Sequence, residues 1–226
     1  MSKTKTILSL IFNLLVFICT VCSIISYFFV EPNVLISNGF DSFKYFTTDS
    51  NVLAAIIEAV VAVYDILILA GKRDSLPKPV VILKFIAAAC VTLTMTVTLL
   101  FLMPFYGTFV IAGPLFIVHV SSPALTLISF VFFETVHRIG IPKSFLALIP
   151  MLLYGAVYYV EVFLIGEANG GWKDFYAYNR DGNWLLSNIL LVCGGIVVSI
   201  LTAVLHDLVL KHAEKKRLGD KEKKQS

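Results

Sequence analysis

Charged residues are scarce in this sequence. Asp, Glu, Lys and Arg make up 15% of the 226 residues, whereas a soluble domain contains about 25%. Hydrophobic residues account for 58%, which is more than the interior of a soluble fold of this length can hold. The net charge of +3 gives no indication of a nucleic-acid partner, and we expect none. The composition therefore predicts an integral membrane protein, and we expect it in the cell membrane.

Cysteines are few, and several familiar catalytic motifs are missing. The four cysteines are Cys19, Cys22, Cys90 and Cys193, and all lie inside apolar runs. No histidine or second cysteine pair accompanies Cys19 and Cys22, so we predict neither a zinc site nor a disulfide framework. The sequence also lacks a GxSxG elbow, an HExxH motif, a P-loop and a dinucleotide fingerprint. We expect neither a metal nor a cofactor.

Six apolar segments approach or exceed the length needed to cross a bilayer. A hydrocarbon core of about 30 Å requires about 20 helical residues. The predicted spans are 7–30, 47–71, 80–103, 114–136, 144–166 and 185–210. The first is longer than a signal-peptide core of about 7–15 residues and lacks a cleavage site, so we expect it to be retained. The prediction is an all-α bundle of six transmembrane helices over 1–210, followed by a basic tail at 211–226.

Basic residues collect on one side of the predicted bundle. That side receives both termini and 14 of the 18 lysines and arginines; the others are Lys44, Lys84, Lys173 and Arg180. We expect Lys84, early in the third span, to snorkel back to the basic side. Cytoplasmic loops are enriched in these residues, so both termini are predicted to be cytoplasmic. The tail is interpreted as a topology anchor, with contact to anionic lipid as an alternative.

Polar side chains cluster where the second span begins, in FKYFTTDSN (43–51). The stretch TTDS has the composition of a helix N-cap, which accounts for one or two of its residues. Asn51, Glu58 and Asp65 then recur at intervals of seven and share one helix face. Ionisable groups in mid-membrane cost about 2.5–3.5 kcal/mol each. For Glu58 and Asp65, a polar seam between helices and a functional site stay equally open.

The fourth span carries a histidine and a proline one turn apart. Pro123 removes the backbone donor that would bond the His119 carbonyl, so we expect a kink there. Ser122 and Thr126 continue the same weakly polar face. A lone histidine in a membrane is more often a hydrogen-bonding strut than a catalyst, and position alone leaves both roles open.

Four of the predicted helices place polar groups at the outer lip of the bundle. Glu161 ends the fifth span and Asn188 begins the sixth, on the same side as Thr47 and His119. We expect a crevice, open outward or sideways into the outer leaflet, to gather them. A threonine hydroxyl becomes a nucleophile when a base takes its proton, and histidine is the usual base. Thr47 or Thr48 would meet His119 if the second and fourth helices are neighbours.

Two segments, FKYFTTDSN (43–51) and HVSSPAL (119–125), resemble the signature segments of the androgen-induced and androgen-dependent multi-pass threonine hydrolases. That family has bacterial relatives with six spans, and its animal members cleave fatty-acid esters of hydroxy fatty acids. The resemblance implies that His119 is the base. Alignment on the Lys-Tyr pair places the nucleophile on Thr47, which we prefer, whereas alignment on the following asparagine places it on Thr48.

The resulting functional prediction is a membrane hydrolase that takes a lipid ester from the bilayer. Thr47 would attack the ester, His119 would act as base, and Asn51, Asn188 or a backbone amide would stabilise the oxyanion. The residues predicted to bind or support the substrate are Asn51, Glu58, Ser122, Glu161 and Asn188.

An alternative prediction comes from a different set of polar residues. A small transporter, or a lipid- or ion-binding membrane protein, would use the stripe of Asn51, Glu58 and Asp65 as a proton or cation path. A structural role in a larger complex is a third interpretation.

Overall fold

A computed structural model describes residues 2–29, 39–176, 178–179 and 182–225. Six helices in it are long and apolar enough to cross a membrane, and the described residues contain no strand. The helices are α1 (Lys3–Ser26), α2 (Phe46–Leu69), α3 (Lys78–Ile111), α4 (Pro114–Phe133), α5 (Ile141–Ile165) and α6 (Trp184–Gln225). The predicted all-α membrane bundle is therefore confirmed.

Three helices extend beyond the apolar segments that predict them. α1 begins at Lys3, where the Ser2 side chain caps the Lys5 amide at 3.3 Å. The segment predicted to link the third and fourth spans winds into short helical turns that prolong α3 to Ile111. Residues 211–225 continue α6, whose 42 residues extend over about 63 Å at 1.5 Å per residue.

The first and last described residues lie on the same side of the bundle, because six crossings return the chain to its starting side. We call this side the terminal face; it also carries residues 70–77 and 134–140. The opposite side, the distal face, carries residues 39–45 and the described part of 166–183. The cytoplasmic position of the terminal face stays a prediction.

α3 is the central helix of the bundle. Of its most apolar part, 50% is buried within the protein, against 11% for α5, so α5 lies at the periphery. Three consecutive alanines, Ala87 to Ala89, are fully buried in α3. Small side chains of this kind let neighbouring helices approach closely in a membrane.

α1 is polar on its buried side and apolar on its exposed side. The buried residues are Thr6, Ser9, Asn13, Val16, Thr20 and Ser23. The exposed residues include Ile7, Ile11, Leu14, Leu15, Ile18 and Ile25. Hydrocarbon surrounds the bundle, so α1 gains nothing by hiding apolar side chains and instead packs through hydroxyl and amide groups.

π-helical turns interrupt three of the helices. They cover Thr98–Leu102 in α3, Ile117–Ser121 and Ser129–Phe133 in α4, and Val160–Ile165 in α5. A π-turn shifts side chains around the helix axis and is frequent at functional sites. The turn at Ile117–Ser121 ends directly before Ser122 and Pro123, where the sequence predicts a kink.

Candidate functional site

A cavity of about 540 Å³ opens at the distal face, and we call it the distal cavity. Thr47, Thr48 and His119 all line it, together with residues from α1, α3 and the 166–183 segment. The structure thus brings both candidate nucleophiles and the candidate base to one site, since the starts of α2 and α4 are neighbours.

The two threonines lie inside the first turn of α2 and do not cap it, so the predicted N-cap is wrong. Tyr45 is the N-cap residue, with extended backbone and no side-chain cap. The Phe46 amide donates instead to the Tyr176 hydroxyl at 3.1 Å. Among the described residues neither Thr47 nor Thr48 makes a side-chain hydrogen bond, so both hydroxyls are left for other chemistry.

His119 is held by the turn that ends α3. Its Nδ1 atom lies 2.6 Å from the Val110 carbonyl oxygen, and the side chain is 7% exposed. A carbonyl only accepts, so Nδ1 carries the hydrogen and Nε2 carries the lone pair of the neutral ring. Gly107 and Gly113, which flank this turn, have φ values of 72° and 55° that favour glycine.

Asn51 joins the two segments that carry the candidate catalytic residues. Its Nδ2 atom donates to the Thr47 carbonyl at 2.8 Å and to the Val118 carbonyl at 2.9 Å. The two main-chain amides that an α- or π-turn would offer to Val118 are unavailable, because Ser122 bonds Ile117 and Pro123 has no hydrogen. Asn51 therefore supplies the donor that the proline lacks and holds α2 against α4.

The other predicted support residues lie away from the distal cavity. Ser122 is buried and shares a 2.9 Å hydrogen bond with Thr20 of α1. Asn188 donates to the Trp184 carbonyl within α6, at 3.0 Å. Glu161 is half-buried in the π-turn of α5, and Glu58 lies deeper in the bundle. None of these four is among the residues that line the cavity.

Several aromatic and charged residues of the cavity could not be predicted from the sequence. They include Tyr27, Trp172, Lys173, Asp174 and Tyr176. Most belong to the 166–183 segment, whose composition predicts only a polar link. Asp174 organises that segment, since it accepts hydrogen bonds from the Tyr158 hydroxyl at 2.7 Å and the Tyr178 amide at 2.9 Å.

Lys84 is buried at the centre of a second polar site, so the predicted snorkelling is wrong. The side chain is 1% exposed. Its ammonium group pairs with Glu58, lies 3.4 Å from Glu134 Oε1 and donates to Asn13 Oδ1 at 2.6 Å. Two carboxylates from other helices hold it inside the bundle.

Side chains of α1 connect this site to Asp65. The Ser9 hydroxyl donates to Asp65 Oδ2 at 2.6 Å, and Asn13 Nδ2 lies 3.1 Å from Glu134 Oε1. We call Ser9, Asn13, Glu58, Asp65, Lys84 and Glu134 the buried ionic cluster. The predicted stripe on α2 is therefore divided, because Asn51 bonds to the segments beside the distal cavity whereas Glu58 and Asp65 belong to the cluster.

No protein-family model, curated protein or solved structure matches this chain. The resemblance to the multi-pass threonine hydrolases remains a prediction that rests on two short segments.

Proposed function

We propose that the protein is an intramembrane lipid-ester hydrolase with Thr47 as nucleophile and His119 as general base. One observation carries the proposal: both side chains line the distal cavity. The hydrogen bond from Nδ1 to Val110 leaves Nε2 as the basic atom of His119. Thr47 is preferred because it is partly exposed, whereas Thr48 is 2% exposed.

The reaction would proceed through an acyl-threonine. His119 Nε2 accepts the hydroxyl proton of Thr47 as Oγ1 attacks the ester carbonyl. The ester C–O bond then breaks, and the leaving alkoxide takes that proton from the imidazolium. A water molecule, deprotonated by the same nitrogen, attacks the acyl-threonine; the acyl C–Oγ1 bond breaks, the imidazolium returns the proton to Thr47 Oγ1, and the fatty acid is released. The Val110 carbonyl accepts from Nδ1 at each step and stabilises the imidazolium.

The lining of the distal cavity suits a lipid with a polar end. Leu102, Val110 and Leu115 supply apolar surface, and Lys44 and Lys173 line the same cavity. Small-molecule sites commonly have volumes of about 300–1,000 Å³, and this cavity falls within that range. A fatty-acid ester of a hydroxy fatty acid, the substrate class that the resemblance implies, combines alkyl chains with a free carboxylate.

Tyr27 is the donor that we assign to the oxyanion. It lines the cavity, and burial raises its pKa to about 12, so its hydroxyl stays protonated at neutral pH. Asn51, one of the donors that the sequence leaves open for this role, already donates to two carbonyl groups. Since one oxyanion donor contributes about 10²–10³ in kcat, Tyr27→Phe should lower kcat by about 10²-fold.

A fluorophosphonate probe tests the nucleophile directly. Purified protein in detergent is labelled, digested and mapped by mass spectrometry, alongside assays on a fatty-acid ester of a hydroxy fatty acid. We expect the label on Thr47 and its loss in Thr47→Ala, with labelling retained in Thr48→Ala. Equal labelling of the two variants would contradict the assignment, and absence of hydrolysis by wild type would contradict the function.

A further inference from the structure

The buried ionic cluster contains more acidic groups than basic ones. We propose that it is a proton-binding site, and that His206 and Asp207 connect it to the terminal face. This inference is independent of the hydrolase proposal, because it uses different residues at a different depth of the bundle.

The charges of the cluster balance only if some of its carboxyl groups are protonated. Lys84 supplies one positive charge, whereas Glu58, Asp65 and Glu134 supply three carboxyl groups, each 0% exposed. Burying an uncompensated charge is far more costly than neutralising it by protonation. Glu58 pairs most closely with Lys84. Two protons, shared among the three carboxyl groups, then make the cluster neutral.

Unpartnered oxygens mark where these protons are held. Within the described ranges, Glu58 Oε1, Asp65 Oδ1 and Glu134 Oε2 are buried and make no hydrogen bond. The second oxygen of each group accepts a hydrogen bond, from Lys84 for Glu58, from Ser9 for Asp65 at 2.6 Å and from Ser129 for Glu134 at 2.7 Å. In each carboxyl group, therefore, one oxygen already accepts a hydrogen bond, and the other has no partner and can carry the added hydrogen.

A proton suits the cluster better than a metal ion does. The Lys84 ammonium already occupies the space between the carboxylates and would repel a second cation. In the part of the chain that the structure describes, no group of three or more His, Cys, Asp or Glu residues is arranged to hold a metal ion.

His206 lies between the cluster and the terminal face. Its ring is 0% exposed and stacks on Phe130, with centroids 4.3 Å apart. It lies against the main chain of Glu134 on one side, and its Nδ1 atom lies 3.2 Å from Asp207 Oδ1 on the other. Its Nε2 atom is buried without a partner among the described residues. An imidazole with one bonded and one unused nitrogen can pass a proton from one side to the other.

Asp207 gives the path its opening at the terminal face. Its side chain is 11% exposed and accepts from the Ile139 and Gly140 amides, each at 2.9 Å. The charged groups nearby are Arg138, which pairs with Asp207 at 3.3 Å, and Lys5, which donates to Thr135 beside Glu134. From α5, the residues packed on α3 and α6 are apolar, such as Met151.

Two helices carry an apolar residue between the cluster and the distal cavity. On α1, Val16 lies between Asn13 and Thr20 and is 0% exposed; on α2, Ala54 lies between Glu58 and Asn51 and is also 0% exposed. The open route from the cluster to water that we infer is therefore the one through His206 and Asp207.

Infrared spectroscopy of the full-length protein in nanodiscs tests the site. We expect carbonyl bands of protonated carboxylic acids at neutral pH, and the loss of a band in Glu58→Gln, Asp65→Asn or Glu134→Gln identifies the carboxyl that holds each proton. Selective ¹³C labelling of Glu or Asp in the wild type assigns the same bands if a variant fails to fold. Absence of a protonated Glu or Asp band in the labelled wild type overturns the proposal.

Deuterium exchange of those bands tests the path. His206→Phe keeps a ring for stacking on Phe130 but removes both nitrogens, and we expect it to slow the exchange by about tenfold or more. His212→Phe, on the exposed surface of α6, is the matched control and should exchange at the wild-type rate. Equal exchange in the two variants overturns the role of His206 and Asp207.

Discussion

The distal cavity and the buried ionic cluster both use α2, yet they are built in opposite ways. At the cavity, His119 and the neighbouring Asn51 are fixed by backbone carbonyls, and the two threonine hydroxyls are left without partners among the described residues. In the cluster, Lys84 and Glu58 are fixed mainly by other side chains and are excluded from solvent. Side chains that are held by backbone carbonyls keep other polar atoms available for a substrate. Side chains that pair with one another use most of their polar atoms to stabilise the fold.

The difference predicts that mutations in the two regions will have separable effects. Substitutions of the candidate catalytic residues in the cavity should lower activity and leave the fold intact. Substitutions in the cluster should lower stability first, since each one leaves buried partners uncompensated.

The largest effect is expected at the nucleophile. Thr47→Ala removes the attacking oxygen and should lower kcat by about 10⁴-fold or more, as for other covalent catalysts. Its melting temperature in detergent should equal that of wild type, because the hydroxyl makes no hydrogen bond to a described residue. Thr48→Ala is the matched control, and comparable loss in both variants would contradict the assignment to Thr47.

A large loss of stability is expected at Lys84. Lys84→Met keeps the length of the side chain but leaves three buried carboxyls without their cation, which should cost about 3–5 kcal/mol. Denaturant unfolding in mixed micelles measures this. Lys78→Met, on the exposed start of α3, should change stability by less than about 0.5 kcal/mol. Equal stability of the two variants would show that the cluster does not hold the bundle together.

Asn51 lies between the distal cavity and the buried ionic cluster, so its substitution should affect both stability and activity. Asn51→Leu leaves the Val118 carbonyl buried without its donor, which should cost about 1–3 kcal/mol. It should also lower kcat, because α2 and α4 lose the contact that sets Thr47 against His119. Full activity at reduced stability would mean that Asn51 supports only the fold.

The smallest effect is expected at Tyr176. Tyr176→Phe removes the acceptor of the Phe46 amide at the start of α2 and should cost about 0.5–1.5 kcal/mol. Tyr178→Phe is the control, since its hydroxyl has no hydrogen bond among the described side chains. An identical loss in both variants would point to ring packing instead of the hydrogen bond.

The six spans could be predicted because apolar runs of sufficient length have few alternatives to a membrane helix. The meeting of Thr47 and His119 at one cavity could also be anticipated, since both lie where even-numbered helices start at the same face. The true cap of α2 could not, because its acceptor, Tyr176, comes from a segment 130 residues away.

Only part of the buried ionic cluster could be predicted from the sequence. Glu58 and Asp65 repeat on one face of α2, but the position of Lys84 depends on carboxylates from two other helices. A lysine near a helix end has a side chain long enough to reach either water or a buried partner. The polar spacing of Ser9 and Asn13 on α1 was the one further signal, because one helical turn separates them on a shared face.

Val16 has a consequence for the membrane as a whole. A protein with polar side chains reaching inward from both faces risks a proton leak, and each charge crossing a potential of 100 mV dissipates about 2.3 kcal/mol. Val16 is the one apolar residue among the six buried residues of α1, and it interrupts the polar side chains of that helix between the two faces. Along α1, therefore, the charged cluster and the distal cavity are not joined by a continuous run of polar side chains.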